Sequence, residues 1–196
     1  MQNLCKDTIF THFIYSAELS TPVEEVYAAC LLLKNTYNTT INSNRNGWQS
    51  PGFSDGAAPS VIFESLKAEV IQFANQISDA ERLGLEFKVG NWWANISESN
   101  AYNVVHSHPG TDLVVVYYAK ATDQSGELVL IRNDSSLSSN LFTNRPQESR
   151  FPLKPQAGRA YAFPAWLLHY VELSQDDEDR VSISFNLCAY GLGGIN

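Results

Sequence analysis

Two periods of apolar residues divide this chain. Val61, Phe63, Leu66, Val70, Phe73, Ala74 and Ile77 recur at helical spacing, with Glu64, Lys67 and Glu69 mainly elsewhere, which predicts an amphipathic helix. Upstream, Ser20-Thr21-Pro22 before Val23-Glu24-Glu25 reads as a helix start: a capping hydroxyl, an early proline, then acids near the positive end of the dipole. That helix should run to about Lys34. Residues 8–16 alternate as a strand, and residues 35–56, rich in Asn, Ser and Gly, read as a loop whose Trp48 needs a surface to pack on.

After Gly84 the period shortens. Residues 85–95, 102–108, 113–119, 127–132, 159–163, 166–172 and 180–190 are short β-rich runs separated by Gly, Pro, Asn, Asp and Ser. Helices followed by many short strands predict a mainly β sandwich or barrel with the helices packed outside. No repeat or linker divides the chain, so residues 1–196 read as one domain: a helical part to about residue 83 and a β core over about 84–190. The polar stretch 133–147 reads as a long surface loop, a common position for a substrate lid.

Composition narrows the class. Hydrophobic residues make up 44%, aromatic residues 12% and charged residues 17% of the 196, so the chain can fill a core and is not of the disordered type. The formal net charge of −8, without a basic run, argues against a surface that grips duplex nucleic acid. A single-stranded or nucleotide substrate stays open. Cys5, Cys30 and Cys188 are far apart and odd in number, which suits reduced thiols, most simply small buried hydrophobes. The N-terminal residues show no signal-peptide pattern, and no apolar run approaches the roughly 18 residues of a membrane span, so a soluble, cytoplasmic protein is expected.

Candidate chemistry lies in the β half. His106 and His108, one residue apart on an expected strand, would point to one face, and His169 from a distant strand could complete one face of a metal's coordination shell. Arg180 supplies a fixed cation for a carboxylate-bearing ligand. Each histidine taken alone could equally be a satisfied structural residue. On residues 180–187, Arg180, Ser182, Ser184 and Asn186 share one face, and Val181, Ile183, Phe185 and Leu187 the other. That polar face either meets water, as alternation usually means, or turns inward and needs a buried ligand. The acidic stretch 174–179 is expected to close a hairpin between the strands of His169 and Arg180, making them neighbours. Asp112 follows Pro109-Gly110 and is more simply a turn carboxylate than a ligand. Trp92 and Trp93 suit core and barrel-mouth packing, and one of Tyr117 and Tyr118 must face inward.

Taken together, Asn91-Trp92-Trp93-Ala94-Asn95, Tyr102-Asn103-Val104-Val105-His106-Ser107-His108-Pro109-Gly110, Val116-Tyr117-Tyr118, Ser125-Gly126-Glu127-Leu128, residues 158–166, His169 and Arg180-Val181-Ser182-Ile183-Ser184-Phe185-Asn186 resemble the non-haem Fe(II) and 2-oxoglutarate-dependent dioxygenases. The likeness is to the small oxygenases with a prolyl-hydroxylase-like core found in bacteria and marine phages, with a weaker echo at Asn46-Gly47-Trp48-Gln49-Ser50. It implies a double-stranded β-helix, or jelly roll, with Fe(II) on His106 and His169. It further implies that Arg180 and Ser182 bind the distal carboxylate of 2-oxoglutarate and that Tyr118 matches the tyrosine helping to hold it. His108 stands where the broader superfamily usually has Asp or Glu, so three neutral imidazoles would leave the 2+ charge of iron for the dianionic co-substrate to balance. Trp93, Asn95, Asn103 and Asn186 are the further residues expected to meet substrate or support the ligands.

The reaction so implied consumes 2-oxoglutarate and O2, releases succinate and CO2, and by default hydroxylates the substrate. An imidazole at position 108 argues against halogenation, which needs an empty ligand position for chloride. The substrate is a small molecule or peptide, with prolyl peptides as the family-level expectation, and if the chain is phage-encoded its place is the host cytoplasm. Two other classes compete: a cupin-like three-histidine dioxygenase working without 2-oxoglutarate, and a non-catalytic jelly-roll binding module.

Overall fold

The computed structural model describes residues 13–56, 59–131 and 150–191. The elements run β1 (Tyr15–Glu18), α1 (Val23–Thr36), β2 (Asn44–Arg45), β3 (Trp48–Gln49), β4 (Phe53–Ser54), α2 (Val61–Ala80), β5 (Leu85–Ser97), β6 (Tyr102–His106), β7 (Leu113–Lys120), β8 (Leu128–Ile131), β9 (Arg150–Leu153), β10 (Arg159–Pro164), β11 (His169–Val171) and β12 (Arg180–Gly191). Among the described residues these strands form two antiparallel sheets. The larger has the order β1-β10-β7-β12-β5-β3, with β4 also on β5, and the smaller β2-β6-β11-β8-β9.

Each face of the larger sheet has its own chemistry because strand side chains alternate. On β12, Val181, Ile183, Phe185 and Leu187 are fully buried in one core with Phe63, Leu66, Val70 and Phe73 of α2 and Val26, Cys30 and Leu33 of α1. Burying each such aliphatic or aromatic side chain stabilises the fold by roughly 1.5–3 kcal/mol, so this face holds the helices to the sheet. The opposite face looks at the smaller sheet. Between the sheets a second core, including Val114, Tyr118, Leu128, Leu130, Tyr161 and Phe163, fills part of the space, and Arg180, Ser182 and Ser184 line a cavity in the rest. The polar face of β12 is therefore turned inward. The whole is a double-stranded β-helix with both helices outside, and no helix among the described residues is long and apolar enough to cross a membrane.

Several expectations are corrected here. The hydroxyls expected to cap α1 instead bond Glu69 of α2, Ser20 Oγ at 2.8 Å and Thr21 Oγ1 at 2.9 Å, so they tie the helices together. Residues 35–56 hold β2, β3 and β4, each only two residues long, too short to leave a period of 2 in the sequence. Trp48 does find its surface: it pairs with Ile96, is buried, and donates Nε1 to Tyr37 O at 3.0 Å. The proline-containing β9 was also not foreseen, and it pairs β8 at the sheet edge, where a missing N–H is tolerated. Of the strand expected over 8–16 only Tyr15 and Ser16 fall in β1, Phe13 and Ile14 precede it outside any strand, and residues 8–12 and the expected loop 133–147 lie outside the described residues.

The hairpin expected between His169 and Arg180 does not form. β11 pairs with β6 and β8 in the smaller sheet, whereas β12 pairs with β5 and β7 in the larger one. The segment between them crosses from one sheet to the other, held by Ser174 N to Ala101 O at 3.0 Å and by Thr122 Oγ1 donating to Asp176. His169 and Arg180 consequently lie in opposite walls of one cavity instead of side by side.

Gly126 sits where this crossing is tightest. A Cβ built there would lie 2.0 Å from Glu172 O, a backbone atom that cannot swing aside. Gly126→Ala should therefore destabilise the protein by roughly 2 kcal/mol or more, since the main chain itself must shift. Gly52→Ala, whose Cβ would meet nothing closer than 3.6 Å, should stay within about 0.5 kcal/mol of the parent. Urea denaturation of both variants checks this, and equal midpoints would mean that the crossing has slack.

Candidate metal centre

The three histidines arrive from different local structures. His106 ends β6 and is the direct cross-strand partner of His169 on β11, with ring centroids 4.2 Å apart. His108 lies beyond the end of β6, so the same-face argument from strand alternation does not apply to it. Its place is set instead by His108 N donating to Ala165 O at 2.9 Å and by its ring stacking on Trp93 at 5.6 Å. The potential ligand atoms of all three lie within 4.8 Å of one another.

What each imidazole does with its other nitrogen decides whether it can bind a metal. Nδ1 of His106 faces Val104 O at 2.7 Å, Nδ1 of His169 faces Leu167 O at 2.9 Å, and Nδ1 of His108 faces Asn186 Oδ1 at 2.6 Å. All three partners are acceptors, so Nδ1 carries the hydrogen and Nε2 keeps its lone pair. Nε2 of His108 and Nε2 of His169 are 3.2 Å apart. For metal–imidazole bonds of about 2.1 Å, two ligands at a right angle sit about 3.0 Å apart. The donor set therefore fits a divalent first-row metal such as Fe(II), for which imidazole is a suitable ligand.

Burial keeps these rings neutral. His169, 3% exposed, is pushed down to about 3, by burial first and by neighbouring His106 next. His106 and His108 are also lowered, again chiefly by burial. Asp112 does not join them: its Oδ2 accepts from Ala189 N at 2.8 Å, as a turn carboxylate does.

The far end of the same cavity is cationic. Arg180 is 2% exposed and donates to Gly126 O at 2.6 Å and to Ser97 Oγ at 3.0 Å, and no carboxylate pairs with it among the described residues. Ser182 and Tyr118 are direct cross-strand partners and both line this cavity. Burial pushes the Tyr118 phenol up to about 12, so it stays a hydrogen-bond donor, while Tyr117 packs in the outer core. Asn95 and Asn103 line the cavity too; Asn103 donates to Ser43 Oγ at 3.0 Å, and the buried Asn95 Oδ1 has no partner among the described residues.

Three supporting residues escaped the sequence reading in their roles. Gly126 and Ser97 hold the guanidinium, and Asn91 accepts from Asn186 Nδ2 at 2.9 Å. Asn91 and Ser97 carried a usable signal: with Trp93 and Asn95 they alternate along β5 against Trp92, Ala94 and Ile96. A backbone carbonyl such as that of Gly126 leaves no signal of its kind.

Residues 91–186 match the family model described as "Putative 2OG-Fe(II) oxygenase". Solved structures agree in fold. A prolyl-4-hydroxylase from Pseudomonas putida is 15% identical, with a TM-score of 0.66 over 92% of this chain and 95% of that one. A prolyl hydroxylase from Trichoplax adhaerens, in complex with a hypoxia inducible factor peptide fragment, is 18% identical, with a TM-score of 0.62 over 92% and 84%. HygX from Streptomyces hygroscopicus, with nickel and 2-oxoglutarate bound, is 9% identical, with a TM-score of 0.62 over 91% and 83%. The search of curated proteins returned no match.

The neutral rings make a prediction for the metal-free protein. Unfolded imidazoles titrate near ~6.5, whereas the folded ones are depressed, so below that pH the unfolded chain takes up protons that the folded chain does not. Stability should be full above about pH 7 and fall steadily toward pH 5, before carboxylates near ~4 contribute. His169→Gln should flatten that slope by about one proton. Urea midpoints across this window measure it, and a flat profile for the parent would show that the rings are protonated in the fold.

Proposed function

Residues 91–186 belong to the 2OG-Fe(II) oxygenases, the chain is an oxidoreductase of that class, and from this premise we propose that it hydroxylates a peptide or small molecule with His106, His108 and His169 as its iron ligands. In such an enzyme, bound Fe(II) with 2-oxoglutarate and O2 oxidises a substrate C–H bond while the co-substrate leaves as succinate and CO2. The protein's share is to bind, orient and keep water out.

The observation that carries the reading is Arg180. A guanidinium buried to 2% exposure with no counter-charge among the described residues is costly, by several kcal/mol for an ion of this kind, and a ligand carboxylate in the cavity would offset that cost. Arg180, Ser182 and Tyr118 form the proposed seat for the distal carboxylate: a planar fork with two hydroxyl donors beside it. The other end of the dianion would then reach the histidines lining the same cavity. With three neutral ligands, the metal would lean on this dianion for charge balance more than a carboxylate site does.

Beside the metal ligands a more open cleft includes Asn42, Gln49, Asn91 and Trp93, uncharged groups that suit the amides of a peptide backbone. That lining and the fold likeness to prolyl hydroxylases support a prolyl peptide as the first substrate to try.

Arg180→Ala should weaken 2-oxoglutarate binding by roughly 3–5 kcal/mol, measured by calorimetric titration of the Mn(II)-loaded protein, with the fold intact by circular dichroism. Arg180→Lys should recover only part, because an ammonium cannot reproduce the fork. Unchanged affinity in the alanine variant would remove Arg180 from the co-substrate seat. Under air, the Fe(II)-loaded parent should form succinate from 2-oxoglutarate; oxygen uptake without succinate would instead point to a three-histidine dioxygenase.

A further inference from the structure

We propose that Asn186, oriented by Asn91, is the positioning residue that makes a histidine usable as the third metal ligand, a claim that rests on the three-histidine site proposed above. A neutral imidazole has one N–H and one lone pair, so it ligates through Nε2 only if its hydrogen is on Nδ1. For His106 and His169 the main chain makes that choice, since a backbone carbonyl can only accept. His108 has no such carbonyl among the described residues. Its Nδ1 is 2.6 Å from Asn186 Oδ1, on a strand of the opposite sheet.

A carboxamide can do either job. Oδ1 toward the ring puts the hydrogen on Nδ1 and bares Nε2; Nδ2 toward the ring would move the hydrogen to Nε2, where it would face the metal position and abolish the ligand. Asn186 therefore needs orienting, and Asn91 does it by accepting from Asn186 Nδ2 at 2.9 Å. The two are direct cross-strand partners on β12 and β5, beside a register shift between Asn186 and Leu187. Trp93, stacked on the ring within 19° of parallel, holds its plane. A carboxylate at position 108 has no tautomer and would need neither amide.

The test is metal binding by the metal-free protein without co-substrate, using Co(II) for affinity and Cu(II) for the number of coordinated imidazole nitrogens seen by electron paramagnetic resonance. Asn186→Leu should bind Co(II) roughly 10–100-fold more weakly and lose one imidazole from the Cu(II) spectrum. Asn186→Asp, which keeps an acceptor, should retain both. In a His108→Asp background the same leucine should change affinity less than twofold, as a role through the imidazole alone requires. If Asn186→Leu does not fold, Asn91→Ala should weaken Co(II) binding and Asn91→Asp should not. Three imidazoles and parental affinity in Asn186→Leu would overturn the proposal, as would an equal leucine penalty in both backgrounds; in the fallback pair, parental affinity in Asn91→Ala would do the same. A parent protein that binds neither metal would fail the three-histidine reading itself, and this inference with it.

Discussion

A buried guanidinium with no acid beside it among the described residues is the constraint on which this site depends. Arg180 is satisfied as a hydrogen-bond donor by Gly126 O and Ser97 Oγ, yet its charge meets no opposite charge among the described residues. Hydrogen bonds hold such a group in place without paying its desolvation, so the cavity favours an anion. Everything around it follows that need. The tight passage at Gly126 carries the carbonyl that fixes the guanidinium, Ser182 and Tyr118 add neutral donors, and the helices cover the other face of the same strands and keep β12 from water.

The metal end is built on the opposite principle. Three rings lowered chiefly by burial are kept neutral and bring no charge, so as the proposed ligands they would make affinity depend on placing lone pairs and on what the co-substrate supplies. Two of the rings take their tautomer from the main chain of their own segment, which any sequence with that backbone would provide. The third borrows it from a side chain 78 residues away. A histidine at position 108 thus ties the proposed metal centre to the register between β5 and β12, and through it to the sheet that holds Arg180. One cavity joins a cation with no counter-charge among the described residues to a set of candidate ligands without charge, and a dianion with a chelating end would be complementary to both.

Much of this was legible in one dimension. The periods of 3.6 and 2 located both helices, seven of the twelve strands described and the first two residues of β1, and the alternation along residues 180–187 separated a polar from an apolar face. Which face turned inward was not legible, because alternation reads the same for a strand facing water and for one lining a pocket. Strands of two residues carry no period at all, and the sheet in which a strand pairs is not encoded in the strand itself. The wrong hairpin between His169 and Arg180 came from that limit: nearness in sequence stood in for pairing, and the acidic segment crosses between sheets instead.

The sequence by itself determined the chemistry: three imidazoles, one arginine amid hydroxyls, and a β framework, recognisable because residue types and local periods are properties of the chain alone. The tertiary structure decided how that chemistry is set to work. It brought His108 Nε2 within 3.2 Å of a histidine on another strand although its own strand has ended, chose the bare nitrogen of each ring, and left Arg180 without a counter-charge among the described residues. These are relations between residues far apart in the chain, fixed by sheet pairing and burial, and no local pattern can hold them.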